Sequence, residues 1–205
     1  MDRRTVTIVV LVCLASFAFS ALLLSHSDWF RESTTDRRKH PQRIIALSPA
    51  IAELIIALGA QDRLVGICDN TRPLPAIKHP IATVGNFLSP SMETIIALKP
   101  DLVVLRKAQP ETAARIRSAS IALLRLEDNS IADILASIPR LGNALGRPAA
   151  AQKLVTRMRK QLAMIAHLSK DVRRPKTLLI IGRTDATLRS VYGASADSFP
   201  GDLLR

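Results

Sequence analysis

The chain has 205 residues, enough for one ordinary domain or two small ones, and its 48% hydrophobic content is ample for a core. Its formal charge of +12 invites a nucleic-acid interpretation, but only 3% of the residues are aromatic and the basic residues stand in short separate groups. This distribution argues against nucleic-acid binding. It favours a solvated basic surface, which would also suit a position near anionic lipid.

The N-terminal segment carries a membrane-directed signal. Arg3 and Arg4 precede an uncharged run from Thr5 to Leu24, and twenty residues in a helix extend about 30 Å, enough to cross a bilayer. We therefore predict that residues 1–27 are either a signal peptide or an uncleaved membrane anchor. The arginines predict that the N-terminus stays inside the cell and that the body lies in the periplasm or outside the cytoplasmic membrane. Residues 28–42 are predicted to be a linker.

A unit of one helix followed by one strand occurs twice in the next segment. The first copy is Ser48–Gly59 with the strand Leu64–Ile67, and the second is Ser89–Leu98 with the strand Leu102–Leu105. In each copy we expect the serine to cap the helix and the following proline to be its first residue. Together with a first strand at Arg43–Leu47, this alternation is typical of a parallel α/β sheet.

The rest of the chain continues the pattern and adds one long helix. A helix at 110–119, a strand at 121–126 and a helix at 130–145, which Pro139 is expected to bend or shorten, come first. The segment Ala149–Lys170 has no proline or glycine and predicts a helix about 33 Å long. After it we predict strands at 177–181 and 188–192 and a helix from 195 to 205. These last elements are too few to bury a core of their own.

Three segments resemble a known family. Arg43–Pro49 with Glu53-Leu54, then Leu58-Gly59, then 93–103 (Glu-Thr-Ile-Ile-Ala-Leu-Lys-Pro-Asp-Leu-Val) resemble the periplasmic substrate-binding proteins of the cobalamin, ferric-siderophore and haem uptake class. The resemblance implies an N-terminal α/β lobe at 43–146, a backbone helix at 147–172 and a second α/β lobe. Residues 173–205 would be only the start of that second lobe, so the chain looks truncated.

The resemblance also implies a function without catalysis. Such a protein captures an iron chelate (a ferric siderophore or haem) or cobalamin and delivers it to an ABC permease in the cytoplasmic membrane. Any iron or cobalt belongs to the ligand, and no cofactor is implied. Glu93 matches the family position that docks on the permease. Because the second wall of the cleft is incomplete, we expect this chain alone to retain ligand weakly or not at all.

Candidate ligand contacts follow from the rule that ligands bind beyond the carboxyl ends of strands in open α/β sheets. The rule nominates Ser48, Pro49, Asp69, Asn86, Phe87, Arg106, Lys107 and Arg183. Arg106, Lys107 and Arg183 could together meet an anionic ferric chelate. The chain has no Gly-x-Ser-x-Gly elbow, phosphate loop or His-Glu-x-x-His pair, so an enzyme is not expected. The alternative to transport is a membrane-anchored α/β interaction module without a transported ligand.

Overall fold

The structure, a computed structural model, describes residues 40–71, 74–173, 175–183 and 191–204. The predicted signal peptide or anchor and most of the predicted linker lie outside these residues. Within the described ranges, no helix has both the length and the apolar character needed to span a membrane.

Five parallel strands form the main sheet, in the order β3-β2-β1-β4-β5. The predicted α/β fold with a parallel sheet is therefore confirmed. One of these strands, β3, was not predicted, because two residues are too few to show a strand pattern. The strands are β1 (Ile44–Ala46), β2 (Leu64–Ile67), β3 (Ala82–Thr83), β4 (Leu102–Arg106) and β5 (Leu123–Leu126).

Six helices and a separate strand pair complete the described elements. The helices are α1 (Pro49–Ala57), α2 (Met92–Ala97), α3 (Pro110–Ser118), α4 (Ile131–Ala144), α5 (Pro148–Leu168) and α6 (Phe199–Leu204). A short 3₁₀ turn, Gln61–Arg63, precedes β2. The strands β6 (Ile180–Arg183) and β7 (Val191–Gly193) pair antiparallel in a second sheet.

Both faces of the main sheet are covered by helices. Ala46 and Val104 point to one face and pack in a cluster with side chains of α1, α4 and α5. Their neighbours Ile45 and Val103 point to the other face and pack with side chains of α2 and α3. Since successive residues of a strand alternate between faces, a continuous apolar run is what a sheet buried on both sides requires.

The two Ser-Pro pairs do not start their helices in the same way. Pro49 is the first residue of α1, as predicted, with Ser48 before it. The second helix was predicted to be capped by Ser89, and this prediction is wrong: α2 begins at Met92, and the hydroxyl of Ser91 accepts a hydrogen bond from the backbone N–H of Thr94 at 3.2 Å. The physical reason is that Pro90 pairs with Gly85 in an isolated β-bridge, which holds the Ser-Pro pair in a loop.

The helical hairpin of α4 and α5 connects the sheet to the end of the chain. Pro139 was expected to bend or shorten α4; the helix continues through it, so it is not shortened, and its buried residues Ile138 and Leu141 pack in the core. α5 runs from Pro148 to Leu168, where the sequence predicted 149–170. The helices approach closely at Gly142, where an added Cβ atom would overlap that of Ala151.

The residues at the start of the recognised motifs hold β1 beside β4. The carboxylate of Asp101 accepts hydrogen bonds from the backbone N–H groups of Gln42, at 2.7 Å, and Arg43, at 2.9 Å. The side chain of Arg43 donates to the carbonyl oxygen of Leu98 at 2.6 Å. The end of α2 and the start of β4 are thereby fixed against the start of β1, which aligns the carboxyl ends of both strands.

Candidate functional site

A cavity of about 860 Å³ lies beside the carboxyl ends of β1, β4 and β5. The strand order reverses between β1 and β4, since β2 and β3 follow on one side and β5 on the other, and such a switch point is where open α/β sheets bind ligands. Apolar side chains of four helices form most of the lining: Ile51, Leu54, Ala57, Ile131, Ile134, Leu154, Met158, Leu162, Ile165, Phe199 and Leu203.

Ser48 and Arg106 face this cavity from neighbouring strand ends. The register of β1 on β4 pairs Ala46 with Val104, and the backbone N–H of Leu47 donates to Val104 at 2.9 Å. Ser48 lies two residues beyond Ala46 and Arg106 two residues beyond Val104, and both line the cavity. Ser48 is only 7% exposed, and its hydroxyl does not cap α1.

Two ion pairs join the ends of β4 and β5. Arg106 Nε donates to Asp128 Oδ2, and Lys107 Nζ lies 2.8 Å from Glu127 Oε1. The sequence analysis missed both acidic residues, although they follow β5 and the same strand-end rule would have nominated them. The two carboxylates neutralise the charge of the two cations, so this edge of the sheet does not carry a net positive charge from Arg106 and Lys107.

The predicted contacts after β2 and β3 do not reach the cavity. Asp69 is exposed, and its backbone N–H donates to the carbonyl oxygen of Gly85 at 3.0 Å. The side-chain oxygen of Asn86 accepts hydrogen bonds from the N–H groups of Leu88 and Ser89 at 3.0 and 2.8 Å. This amide oxygen is therefore engaged within its own loop.

The other four candidate ligand contacts are not among the described residues that line the cavity. The carbonyl oxygen of Phe87 accepts a hydrogen bond from the buried side chain of Gln109, which ties the loop before α2 to the end of β4. Pro49 is the half-buried first residue of α1 and Lys107 is exposed; neither lines the cavity. Arg183 ends β6, and its side chain lies outside the described residues. Of the eight candidates, the cavity brings together Ser48 and Arg106.

The apolar face of α5 changes its environment along the helix. Leu154 and Val155 in its first half are buried against the main sheet and α4. Met164 and Ile165 in its second half are 57% and 59% exposed, although both line the cavity. The periodic pattern predicted one apolar face along the helix but could not show that its second half forms a wall of the cavity.

Glu93 lies away from the cavity. It is an exposed residue of the first turn of α2, the helix that covers the opposite face of the sheet. Neither of the two ion pairs found within the described ranges includes it. Over the same ranges, no group of three His, Cys, Asp or Glu residues is arranged to hold a metal ion. Cys68 is buried directly after β2, with its sulfur 3.1 Å from Thr71 Oγ1.

Comparison with known proteins places the chain among extracytoplasmic binding proteins. It is similar to an uncharacterized ABC transporter substrate-binding lipoprotein, YvrC, of Bacillus subtilis, with 28% identity over 82% of this chain and 54% of that protein. It is also similar to the Fe(3+) dicitrate-binding periplasmic protein FecB of Escherichia coli, with 30% identity over 73% of this chain and 54% of that protein. The chain thus spans about half the length of these curated relatives.

Solved structures share the fold. An ABC transporter substrate-binding protein from Listeria monocytogenes superposes with a TM-score of 0.70 and 26% identity, over 81% of this chain and 62% of that one. The periplasmic heme-binding protein RhuT from Roseiflexus gives a TM-score of 0.69 and 26% identity, over 80% and 62%. The sequence profile described as "Periplasmic binding protein" matches residues 44–205. The chain therefore belongs to the periplasmic binding protein family.

Proposed function

We propose that this chain is the substrate-binding component of an ABC uptake transporter, with cobalamin or an iron chelate (a ferric siderophore or haem) as its ligand. The observation that carries the proposal is the cavity of about 860 Å³ at the switch point of the parallel sheet. A mostly apolar cavity of this size with a few convergent polar groups is typical of a small-molecule site. The named ligands of the relatives, ferric dicitrate, cobalamin and heme, supply the ligand class.

The same proposal divides the chain into three structural regions. Residues 43–146 form the first lobe, residues 147–172 the connecting helix, and residues 173–205 the beginning of a second lobe. The exposed second half of α5 and the separate sheet of β6 and β7 support this division. The ligand then lies against the first lobe with the second lobe as the opposite wall. The protein acts outside the cytoplasmic membrane, exported by or tethered through residues 5–24.

Direct binding tests the proposal. The full chain in mild detergent is dialysed against radiolabelled cyanocobalamin, radiolabelled ferric dicitrate or haem. We expect saturable binding of one of the three with a dissociation constant above about 1 µM, because the chain spans only about half the length of its curated relatives. Absence of saturable binding for all three would contradict the transport function. Submicromolar affinity would instead contradict the expectation that these residues alone retain ligand weakly.

The alternative is an α/β interaction module on the outer face of the membrane, without a transported ligand. It shares the fold and makes no use of the cavity. A chain that binds none of the three ligands but is recovered from membranes in a stable complex with another protein would favour this alternative. Neighbouring genes for a permease and an ATPase would favour transport.

Glu93 is proposed as the docking residue for arginines of the permease, and its position supports this role. An exposed carboxylate that forms no ion pair with any of the described residues can bind a cationic partner without breaking an internal contact. Glu93→Lys is expected to lower ligand uptake by about tenfold or more, because like charges then face each other across the interface. Uptake of radiolabelled ligand in cells that express the chain with its permease and ATPase measures the effect.

The control for this charge reversal is Glu111→Lys. Glu111 is also an exposed glutamate in the first turn of a helix, α3. Both variants are expected to change the free energy of unfolding by less than about 1 kcal/mol, as surface substitutions usually do. Equal uptake by the two variants would exclude the docking role of Glu93.

A further inference from the structure

We propose that the outer face of α5 binds an anionic lipid bilayer through a basic stripe, defined as Lys153, Arg157 and Lys160. The inference goes beyond the proposed function, because it requires neither a transported ligand nor a permease. It uses only the proposed location of the chain beside the outer surface of the cytoplasmic membrane. The charge, the geometry and the composition of α5 each support it.

The positive charge of the chain is concentrated around α5. The sequence from Lys153 to Lys176 holds eight lysines and arginines and only one acidic residue, Asp171, in a chain whose formal net charge is +12. Within α5 itself there is no aspartate or glutamate. Neither ion pair found among the described residues involves this helix. The cations of α5 are therefore not neutralised by a carboxylate of the part of the chain that the structure describes.

Three of these cations form the stripe on the side of α5 that faces away from the core. Lys153, Arg157 and Lys160 are separated by four and three residues, which places them above one another along the helix. All three are exposed, whereas Leu154 and Val155 of the same helix are buried. The stripe is about 10 Å long at 1.5 Å per residue, and none of its members lines the cavity.

Anionic lipid matches this stripe better than a nucleic acid does. Cations that project together from one side of a helix can contact several phosphate groups of a flat anionic surface at once. From Lys153 to Lys176 the sequence has no Phe, Tyr or Trp that could stack on bases. Leu168, eleven residues after Arg157 and on the same face, is 69% exposed, and such a side chain can enter the boundary between headgroups and acyl chains.

The proposed contact turns Glu93 away from the membrane. α5 covers one face of the main sheet, and α2, which carries Glu93, covers the other. A chain that lies on lipid through the basic stripe must therefore rotate before Glu93 can dock on a permease. The lipid contact is thus a resting position, and it stays reversible because exposed cations attract an anionic surface only weakly at physiological salt.

Contact with the bilayer is measured on the full chain in lipid nanodiscs that carry a trace of lipid with a spin-labelled headgroup. One preparation contains the zwitterionic lipid POPC alone, and the other contains POPC with anionic POPG. The apolar run Thr5–Leu24 is expected to hold the chain on both. Paramagnetic broadening of ¹³C-labelled methyl groups then reports which surface of the protein lies on the lipid.

The broadening should depend on lipid charge and be confined to α5. We expect strong broadening of Met164 and Leu168 with POPG and little with POPC, and about 0.5 M salt should remove it because salt screens the attraction. Leu88 and Ile96, in the loop before α2 and in α2 itself, serve as references, since they are 73% and 52% exposed. Their methyl groups should stay sharp with both lipids.

Neutralising the stripe tests its role. Arg157→Gln with Lys160→Gln keeps good helix formers and is expected to lower the contact equilibrium about 25-fold, since each cation near an anionic surface contributes about fivefold. The matched control, Arg115→Gln with Arg117→Gln, neutralises two exposed arginines of α3, on the opposite face of the sheet. It should leave the broadening unchanged. Lys153→Gln with Arg157→Gln repeats the test if circular dichroism shows that the first variant does not fold.

Three results would overturn the proposal. They are equal broadening with POPC and POPG, equal broadening of α5 and of the reference side chains, and unchanged broadening in the stripe variant that folds. Each would show that the N-terminal segment alone holds the chain at the membrane. If single-stranded oligodeoxythymidine binds through the stripe and POPG does not, the partner is a nucleic acid and the proposal is wrong.

The outcomes separate this inference from the proposed function. Because the stripe lies outside the cavity, its variants should bind cobalamin, ferric dicitrate or haem as the unmodified chain does. Broadening that depends on POPG in a chain that binds none of the three ligands would leave the membrane contact standing without transport. Ligand binding without that broadening would leave the transport function standing and show that the stripe is an ordinary solvated surface.

Discussion

Replacing Ile45 with alanine is expected to lower the free energy of unfolding by about 2–5 kcal/mol. Ile45 is fully buried in β1, the central strand of the sheet. It packs directly over the neighbouring strand: a Cβ atom at Gly66 would lie 3.1 Å from its Cγ1. Helices cover this face, so the surroundings can collapse only partly onto the space that the substitution leaves. The lost burial and the remaining cavity both reduce stability.

Urea unfolding followed by far-UV circular dichroism measures this loss. The matched control is Ile96→Ala, which removes the same atoms from a side chain that is 52% exposed on α2. The control is expected to change the free energy of unfolding by less than about 1 kcal/mol, since alanine is also the better helix former. Equal losses for both substitutions would contradict the central position of β1.

Replacing Gly142 with alanine is expected to destabilise the protein by about 1–3 kcal/mol, as overpacking typically does. In an exposed helix the same change would stabilise by roughly 1 kcal/mol. Here the new methyl group would overlap Ala151 and come within 3.2 Å of the carbonyl oxygen of Arg147. Both contacts belong to the connection between α4 and α5, so the two helices must move apart to accept it.

A double substitution identifies the cause. Ala151→Gly in the same chain removes the opposing methyl group, so Gly142→Ala with Ala151→Gly should lose less stability than the two single changes added together. Asn143→Ala, at the exposed neighbouring position of α4, controls for helix propensity. Thermal unfolding of all four variants gives the coupling between the two sites. Additive losses would show that the close approach of the helices does not limit residue size at Gly142.

Much of the fold could be predicted from the sequence because a sheet that is buried on both faces requires strands made of continuous apolar residues. The apolar run of β4, from Leu102 to Leu105, and the uninterrupted α5 were recognised on this basis. Predictions of where helices begin and end, made from local sequence signals, were wrong where contacts with distant residues determine the helix bounds. The pairing of Pro90 with Gly85 moves the start of α2, and the buried residues around Pro139 keep α4 continuous.

The candidate site could be predicted only in part. The strand-end rule nominated Ser48 and Arg106, which the structure brings to one cavity. It could not show that Asp128 engages Arg106, because that contact depends on the register of β4 on β5. Nor could it show that Asn86 is engaged within its own loop, which depends on the local backbone path.

The sheet order also has a consequence for how the chain folds. The central strand is the first of the five along the sequence, and one of its partners comes much later: Arg43 and Asp101, joined by a hydrogen bond at the edge of this pairing, are 58 residues apart. Loop-closure entropy must be overcome before such a distant pairing contributes any stability, which slows folding. If the chain is exported as proposed above, this slower folding would keep it unfolded for longer while it passes through a translocation channel.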